Sequence, residues 1–169
     1  MIFLTIGSQE PFDRIIEAID TIAPELNMPV IAQVFDCKYR VKNIKTVEFI
    51  SPVEYNNYIR DADLIVAHAG MGTILSALQL NKPLLVMPRH AKYHETRSDH
   101  QIETAKMFEK LNYIYVAYDT EELKRKIMEL KAKNFPPLHQ IGPFASTELV
   151  SSLKNYFTDE KKTEKKQTL

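Results

Sequence analysis

His68, Gly70, Gly72 and Thr73 follow an apolar run at residues 64–67 and lead straight into a helical pattern. Backbone N–H groups in the first turn of a helix lack partners within it, and the helix dipole adds positive potential there. Glycines let the backbone approach a bound group closely, so such a turn suits an anion such as phosphate. A turn of the same kind, Gly7-Ser8-Gln9-Glu10, follows the apolar run at residues 2–6 and precedes a helix expected to start near Pro11. After the run at 84–87 comes a third polar stretch: Pro88-Arg89-His90, then His94, Glu95 and Arg97, then Asp99-His100-Gln101. In open α/β sheets ligands bind beyond the carboxyl ends of the strands. Three loops on one rim make a cleft.

Each of these residues also has a plainer role open to it. A glycine turn between strand and helix can be just a tight turn, and neither turn matches G-x-G-x-x-G. His68 alone would also suit a satisfied core histidine, and Asp99 a cap on the helix that carries Ile102, Ala105 and Phe108. His90 and His94 have the i, i+4 spacing of a zinc pair but fall in a loop without the H-E-x-x-H context, so no metal site is expected. The chain has no G-x-x-x-x-G-K-[ST], which argues against P-loop ATP hydrolysis. Tyr55, Tyr58, Tyr113, Tyr115 and Tyr118 read as half-buried packing residues rather than a stacking platform.

The elements that must position these residues alternate along the chain. Apolar runs at 2–6, 30–34, 47–50, 64–67, 84–87 and 114–117 suit strands buried on both faces of a parallel sheet. Phe12, Ile15, Ile16, Ile19 and Ile22 share one helical face, opposite Asp13, Arg14, Glu17 and Asp20; Leu123, Ile127 and Leu130 form a later face. Ser51-Pro52-Val53-Glu54 offers a capping box with proline at the first helical position, and Asp119 with Glu122 offers another. This alternation predicts an α/β fold with an open parallel sheet and right-handed crossovers. Residues 35–45, polar and basic, read as an irregular connection.

Composition bounds the rest. The 169 residues suit one domain with a substantial core. Lys plus Arg equals Asp plus Glu, 22 each, so no global field favours nucleic acid, and no nucleic-acid partner is expected. The lone Cys37 suits a reducing compartment. No apolar run approaches the ~18 residues of a membrane span, and the N-terminus reads as a strand rather than a leader. Those readings predict a cytoplasmic protein, with any membrane association made through a partner. Three regions follow: a ligand-binding domain at 1–133, a proline-rich connector and amphipathic helix at 134–157, and a charged tail at 158–169. Leu149, Val150, Leu153 and Phe157 form the stripe of that helix, packing either on its own sheet or on a partner.

In order and type, these features resemble the C-terminal, donor-binding domain of glycosyltransferase family 28, as in MurG-type enzymes. The carrying residues are Thr5-Ile6-Gly7-Ser8, Glu48-Phe49-Ile50, Ala62-Asp63 through Thr73, Lys82-Pro83, and Pro88-Arg89 through Asp99-His100-Gln101. The chain is most similar to the free-standing small subunits of two-part glycosyltransferases, and its stretch with Pro88-Arg89, Lys92-Tyr93, Glu95 and Asp99-His100-Gln101 to the PssE-type subunits of bacterial exopolysaccharide synthesis. The resemblance covers roughly residues 1–130 and implies a Rossmann-like sheet, the donor half of a GT-B glycosyltransferase. It implies that the backbone at Phe49 and Ile50 holds the uracil of a UDP-sugar. Gly7, Ser8, His68, Gly70, Gly72 and Thr73 would surround the diphosphate. Gln101, with Asp99 or His100, would bond the sugar hydroxyls. Relatives place a ribose-gripping Glu where this chain has Ser76, which leaves two alternatives: weaker ribose binding, or a contact supplied by Glu95 or Glu103.

The same resemblance implies an inverting transfer of a hexose to a lipid-linked acceptor, with no metal or other cofactor. The catalytic base and the acceptor site would come from a membrane-anchored partner subunit. A competing reading is a non-catalytic accessory subunit that activates or anchors a partner glycosyltransferase, and Ser76 gives it force.

Overall fold

The computed structural model describes residues 1–142 together with positions 144 and 151. The helix expected at 146–157, position 151 apart, and the tail at 158–169 lie outside the described residues. Among the described residues six strands and five helices follow one another, alternating except at β2 and β3: β1 (Ile2–Thr5), α1 (Asp13–Leu26), β2 (Val30–Gln33), β3 (Lys45–Val47), α2 (Pro52–Asp61), β4 (Leu64–Ala67), α3 (Met71–Gln79), β5 (Leu84–Val86), α4 (His100–Lys110), β6 (Tyr115–Val116) and α5 (Thr120–Ala132). A single 3-10 turn, Ala91–Tyr93, precedes α4. Every strand pair is parallel, in the order β3-β2-β1-β4-β5-β6. Chain order therefore reverses between β1 and β4, whose registers set Thr5 beside Ala67.

The strands alternate their side chains between two apolar layers, as the pleat requires. Ile2 and Leu4 pack with Ile15, Ile16 and Ile19 of α1 and with Leu123 and Ile127 of α5. Phe3 turns to the other face, with Ile59 of α2, Ile74 of α3 and Phe108 of α4. Each such large side chain taken from water contributes roughly 1.5–3 kcal/mol. Start signals form as the sequence predicts at α2. Ser51 Oγ accepts from Glu54 N, and Glu54 Oε2 accepts from Ser51 N at 2.9 Å. At α5 the box is offset: Asp119 Oδ1 accepts from Glu122 N, but Glu122 reaches back to Tyr118 N.

Two local expectations fail for physical reasons. The third strand spans Lys45–Val47 rather than 47–50, because β3 pairs with β2 alone and an edge strand needs no continuous apolar run. Asp20 does not lie on a solvated face of α1: it is fully buried. Its carboxylate accepts from the backbone N–H of Lys42, Asn43 and Ile44 and from the Tyr39 hydroxyl. Pro24, inside α1, has no N–H to offer the Asp20 carbonyl four residues back. That carbonyl instead accepts from Asn43 Nδ2 at 2.9 Å. Asp20 thus holds the helix-free connection between β2 and β3, together with Asp13, whose carboxylate accepts from Lys38 N and Tyr39 N.

Past α5, residues 134–142 return along the same domain. Tyr115 donates to Pro136 O, His139 stacks on Tyr113 with centroids 3.8 Å apart, and Ile141 N donates to Leu78 O.

Candidate ligand-binding cleft

At the carboxyl ends of β1 and β4 lies a cleft of two lobes, about 740 and 700 Å³. Gly7, Ser8, Gly72 and Thr73 line both lobes and form their common floor. The floor includes the start of α3, whose N-cap is Gly70 and which no side chain caps. Unpaired first-turn N–H groups therefore face the cleft. Gly72 is open to it, with nothing within 4 Å of where a Cβ would stand.

The first lobe is polar. Gln9, Glu10, His68, Arg89, Thr96, Arg97 and Gln101 line it. His68 packs its ring into the gap left by two glycines: a Cβ on Gly70 would stand 2.2 Å from Nε2, and one on Gly7 3.1 Å from Cε1. Gly7 also has φ +77°, open to glycine at little cost. Burial lowers the His68 pKa to about 4, and the neighbouring Arg89 guanidinium adds to the effect, so the imidazole is neutral at pH 7. Its Nδ1 is enclosed, with no hydrogen-bond partner among the described residues. Gln101 is oriented by its Oε1, which accepts from Arg89 N at 3.2 Å.

Apolar side chains dominate the second lobe. Phe35, Phe49, Ile50, Pro52 and Tyr55 form its walls, with Gln33, Glu48, Asn56 and Ser76 among them. Phe49 is 88% exposed. Beneath it, the Tyr55 and Thr73 hydroxyls lie 2.9 Å apart, and Thr5 Oγ1 donates to Gln33 Oε1 at 2.6 Å. Thr73 thus offers the cleft its N–H, its hydroxyl being bound to Tyr55. The five tyrosines are half-buried as expected, but Tyr55 also serves the cleft.

Nine of the eleven residues singled out in the sequence come together here: Gly7, Ser8, Phe49, Ile50, His68, Gly70, Gly72, Thr73 and Gln101. Two do not line the cleft. Asp99 sits at the N-cap of α4 without capping it, and its Oδ1 accepts from Ala91 N to fix the 3-10 turn. His100 opens α4 on an exposed face. Glu95 cannot stand in at Ser76, since both its oxygens are taken by Arg14, at 2.7 and 2.8 Å, and by His90 N. Glu103 pairs with Lys106 away from the cleft. Ser76 itself donates back to Gly72 O, and Gln33, Glu48 and Asn56 stand among the other polar side chains of that lobe. Among the described residues no cluster of three His, Cys, Asp or Glu could hold a metal ion.

Sequence reasoning placed Arg89 in a polar loop without giving it a role. It is 4% exposed. Its Nη2 donates to Ile6 O at 2.8 Å and Glu10 O at 2.6 Å, bridging the loops after β1 and β5. No signal in the sequence marks it, since an arginine in a polar loop reads as solvated.

A cleft so built fits an elongated ligand with an apolar planar end, an anionic middle and a polar end. This chain is similar to proteins of known name. It is 36% identical over 89 residues to "UDP-N-acetylglucosamine transferase subunit ALG13" of Candida albicans, covering 53% of this chain and 29% of that protein. To the protein of the same name in Candida glabrata it is 31% identical over 123 residues, covering 69% of this chain and 57% of that one. The chain therefore spans less than two thirds of either relative's length. The NMR solution structure of ALG13 shares the fold, with a TM-score of 0.57 at 19% identity over 90% of this chain and 93% of that one. The glycotransferase of kitacinnamycin shares this Rossmann-like fold as well, with a TM-score of 0.58 at 18% identity over 76% of this chain and 34% of that one. Residues 1–141 match the sequence model of the glycosyltransferase family 28 C-terminal domain, and to that family the chain belongs.

Proposed function

We propose that the chain is the donor-binding, catalytic subunit of a bipartite inverting glycosyltransferase. The observation that carries the reading is the pair of unlike lobes joined by one glycine-lined floor at the start of α3. A UDP-sugar lies along them: uracil in the lobe of Phe49 and Ile50, diphosphate over Gly7, Ser8, Gly72 and Thr73, hexose beside Gln101. The ALG13 relatives, named as UDP-N-acetylglucosamine transferase subunits, support the same choice.

In the reaction the acceptor oxygen bonds to the anomeric carbon while the bond to the diphosphate oxygen breaks. The electron pair stays on UDP, and fixed N–H dipoles aimed at the diphosphate lower the barrier. The acceptor proton goes to a general base, which we assign to the partner chain that presents the acceptor. The donor set of the cleft, guanidinium, amide and backbone N–H, needs no metal or other cofactor. Phe49, Met71 and Leu75 leave apolar surface uncovered beside the second lobe and on α3, 88%, 42% and 41% exposed, which a second subunit would cover. We place that partner at the inner face of a plasma membrane, presenting a lipid-linked acceptor, with this chain cytoplasmic and bound through it. Bacterial surface polysaccharide is the product class favoured by the Pro88-to-Gln101 segment.

Calorimetric titration of the isolated chain with UDP is expected to give saturable heat, and sugar transfer by that chain alone is expected to be poor. No heat would favour the accessory reading; rapid turnover without a second subunit would contradict the need for one.

A further inference from the structure

Arg89 has more positive charge than the protein uses. Its Nη2 is spent on two carbonyls, yet among the described residues neither Nε nor Nη1 has a hydrogen-bond partner, and Nε is enclosed. Neither carboxylate that might neutralise it is committed to it. Glu95 is held by Arg14 and His90 N, and Glu10 meets Arg89 through its backbone carbonyl. The Phe12 ring lies 5.1 Å from the guanidinium and offers partial compensation. Glu95 and Glu10 act on it only through space, and among the described residues no carboxylate is in ion-pair contact with it; a buried cation so weakly compensated is costly, and this one lines the first lobe. Its neighbour His68 is neutral and cannot share the task.

Resting on the UDP-sugar reading above, we infer that Arg89 is the residue whose charge binds the donor diphosphate and stabilises it as the leaving group. The start of α3 approaches from one side and the guanidinium from the other. Arginine suits the place because a fork can hold two carbonyls and still direct N–H groups at phosphate oxygens.

NMR titrations of the full chain with UDP and with uridine separate this role from a merely structural one. The unmutated protein is expected to bind UDP at least tenfold more tightly than uridine. Arg89→Gln should weaken UDP at least tenfold and leave uridine within twofold. Equal loss of both ligands, or unchanged UDP binding, would overturn the inference. In the unmutated protein, the Arg89 Nε–H resonance should move on adding UDP and stay on adding uridine. That measurement needs no variant to fold, and an unmoved resonance under saturating UDP would also overturn it. Failure of the unmutated protein to bind either ligand overturns the nucleotide reading itself, a result distinct from UDP binding that ignores Arg89.

Discussion

His68 enters the cleft uncharged, and that has a cost that depends on pH. Its pKa falls from 6.5 to about 4 on folding, so between those values the unfolded chain binds more protons than the native one. Stability is complete above about pH 6.5 and is lost as pH falls toward 4, by as much as about 3 kcal/mol from this group. Urea midpoints at pH 7 and pH 5 should differ less in His68→Gln than in the unmutated protein; equal differences would contradict the assignment. Gly70→Ala should destabilise severely, because its Cβ would sit 2.2 Å from the imidazole. Adding His68→Ala should recover part of the loss, and a double-mutant cycle in denaturant measures the coupling. The glycines and the histidine were legible in the sequence as types suited to phosphate. That Gly70 clears room for His68 was not, because it depends on where a ring points. Nor does a sequence distinguish a buried arginine from a solvated one, which is why Arg89 emerges only when the loops after β1 and β5 meet.

Among the elements, helices were read most securely, because a 3.6-residue stripe such as Phe12, Ile15, Ile16, Ile19 and Ile22 records burial directly. The edge strand β3 was misplaced, since one-sided pairing leaves no such record. Asp20 was misread for a related reason: periodicity assigns a face, whereas the loop at 34–44 folds over that face and buries it. Asp20→Ala would strand three backbone N–H groups and the Asn43 contact geometry around them. It is expected to cost about 3 kcal/mol in chemical denaturation, with faster amide exchange at Lys42, Asn43 and Ile44. Unchanged exchange at those amides would show that the carboxylate does not hold the loop.

Seen as a whole, the molecule places its cleft where chain order reverses between β1 and β4, so no single loop owns the site. That much followed from the alternation of strand and helix patterns. The division of the cleft into lobes did not, because it depends on where the side chains of the loops after β1, β2 and β5 point, Phe35 into one lobe and Arg89 into the other. Separate lobes imply separable binding. Phe49→Ala should weaken UDP and a UDP-sugar by the same factor, several-fold, whereas Gln101→Ala should weaken the UDP-sugar chiefly. Calorimetry with both ligands checks it, and equal losses from the Gln101 change would argue against a sugar beside that residue.

The proline in α1 carries a historical implication. A carbonyl released by an imino acid at 24 and an amide at 43 that claims it make sense together and little sense apart. In a homologue with an ordinary amino acid at 24, the helix would keep its own hydrogen bond and the amide would lose its acceptor. The two positions, nineteen apart in the chain, should therefore mutate in concert over evolutionary time, leaving in any set of related proteins a paired signature of how this helix came to anchor its neighbour.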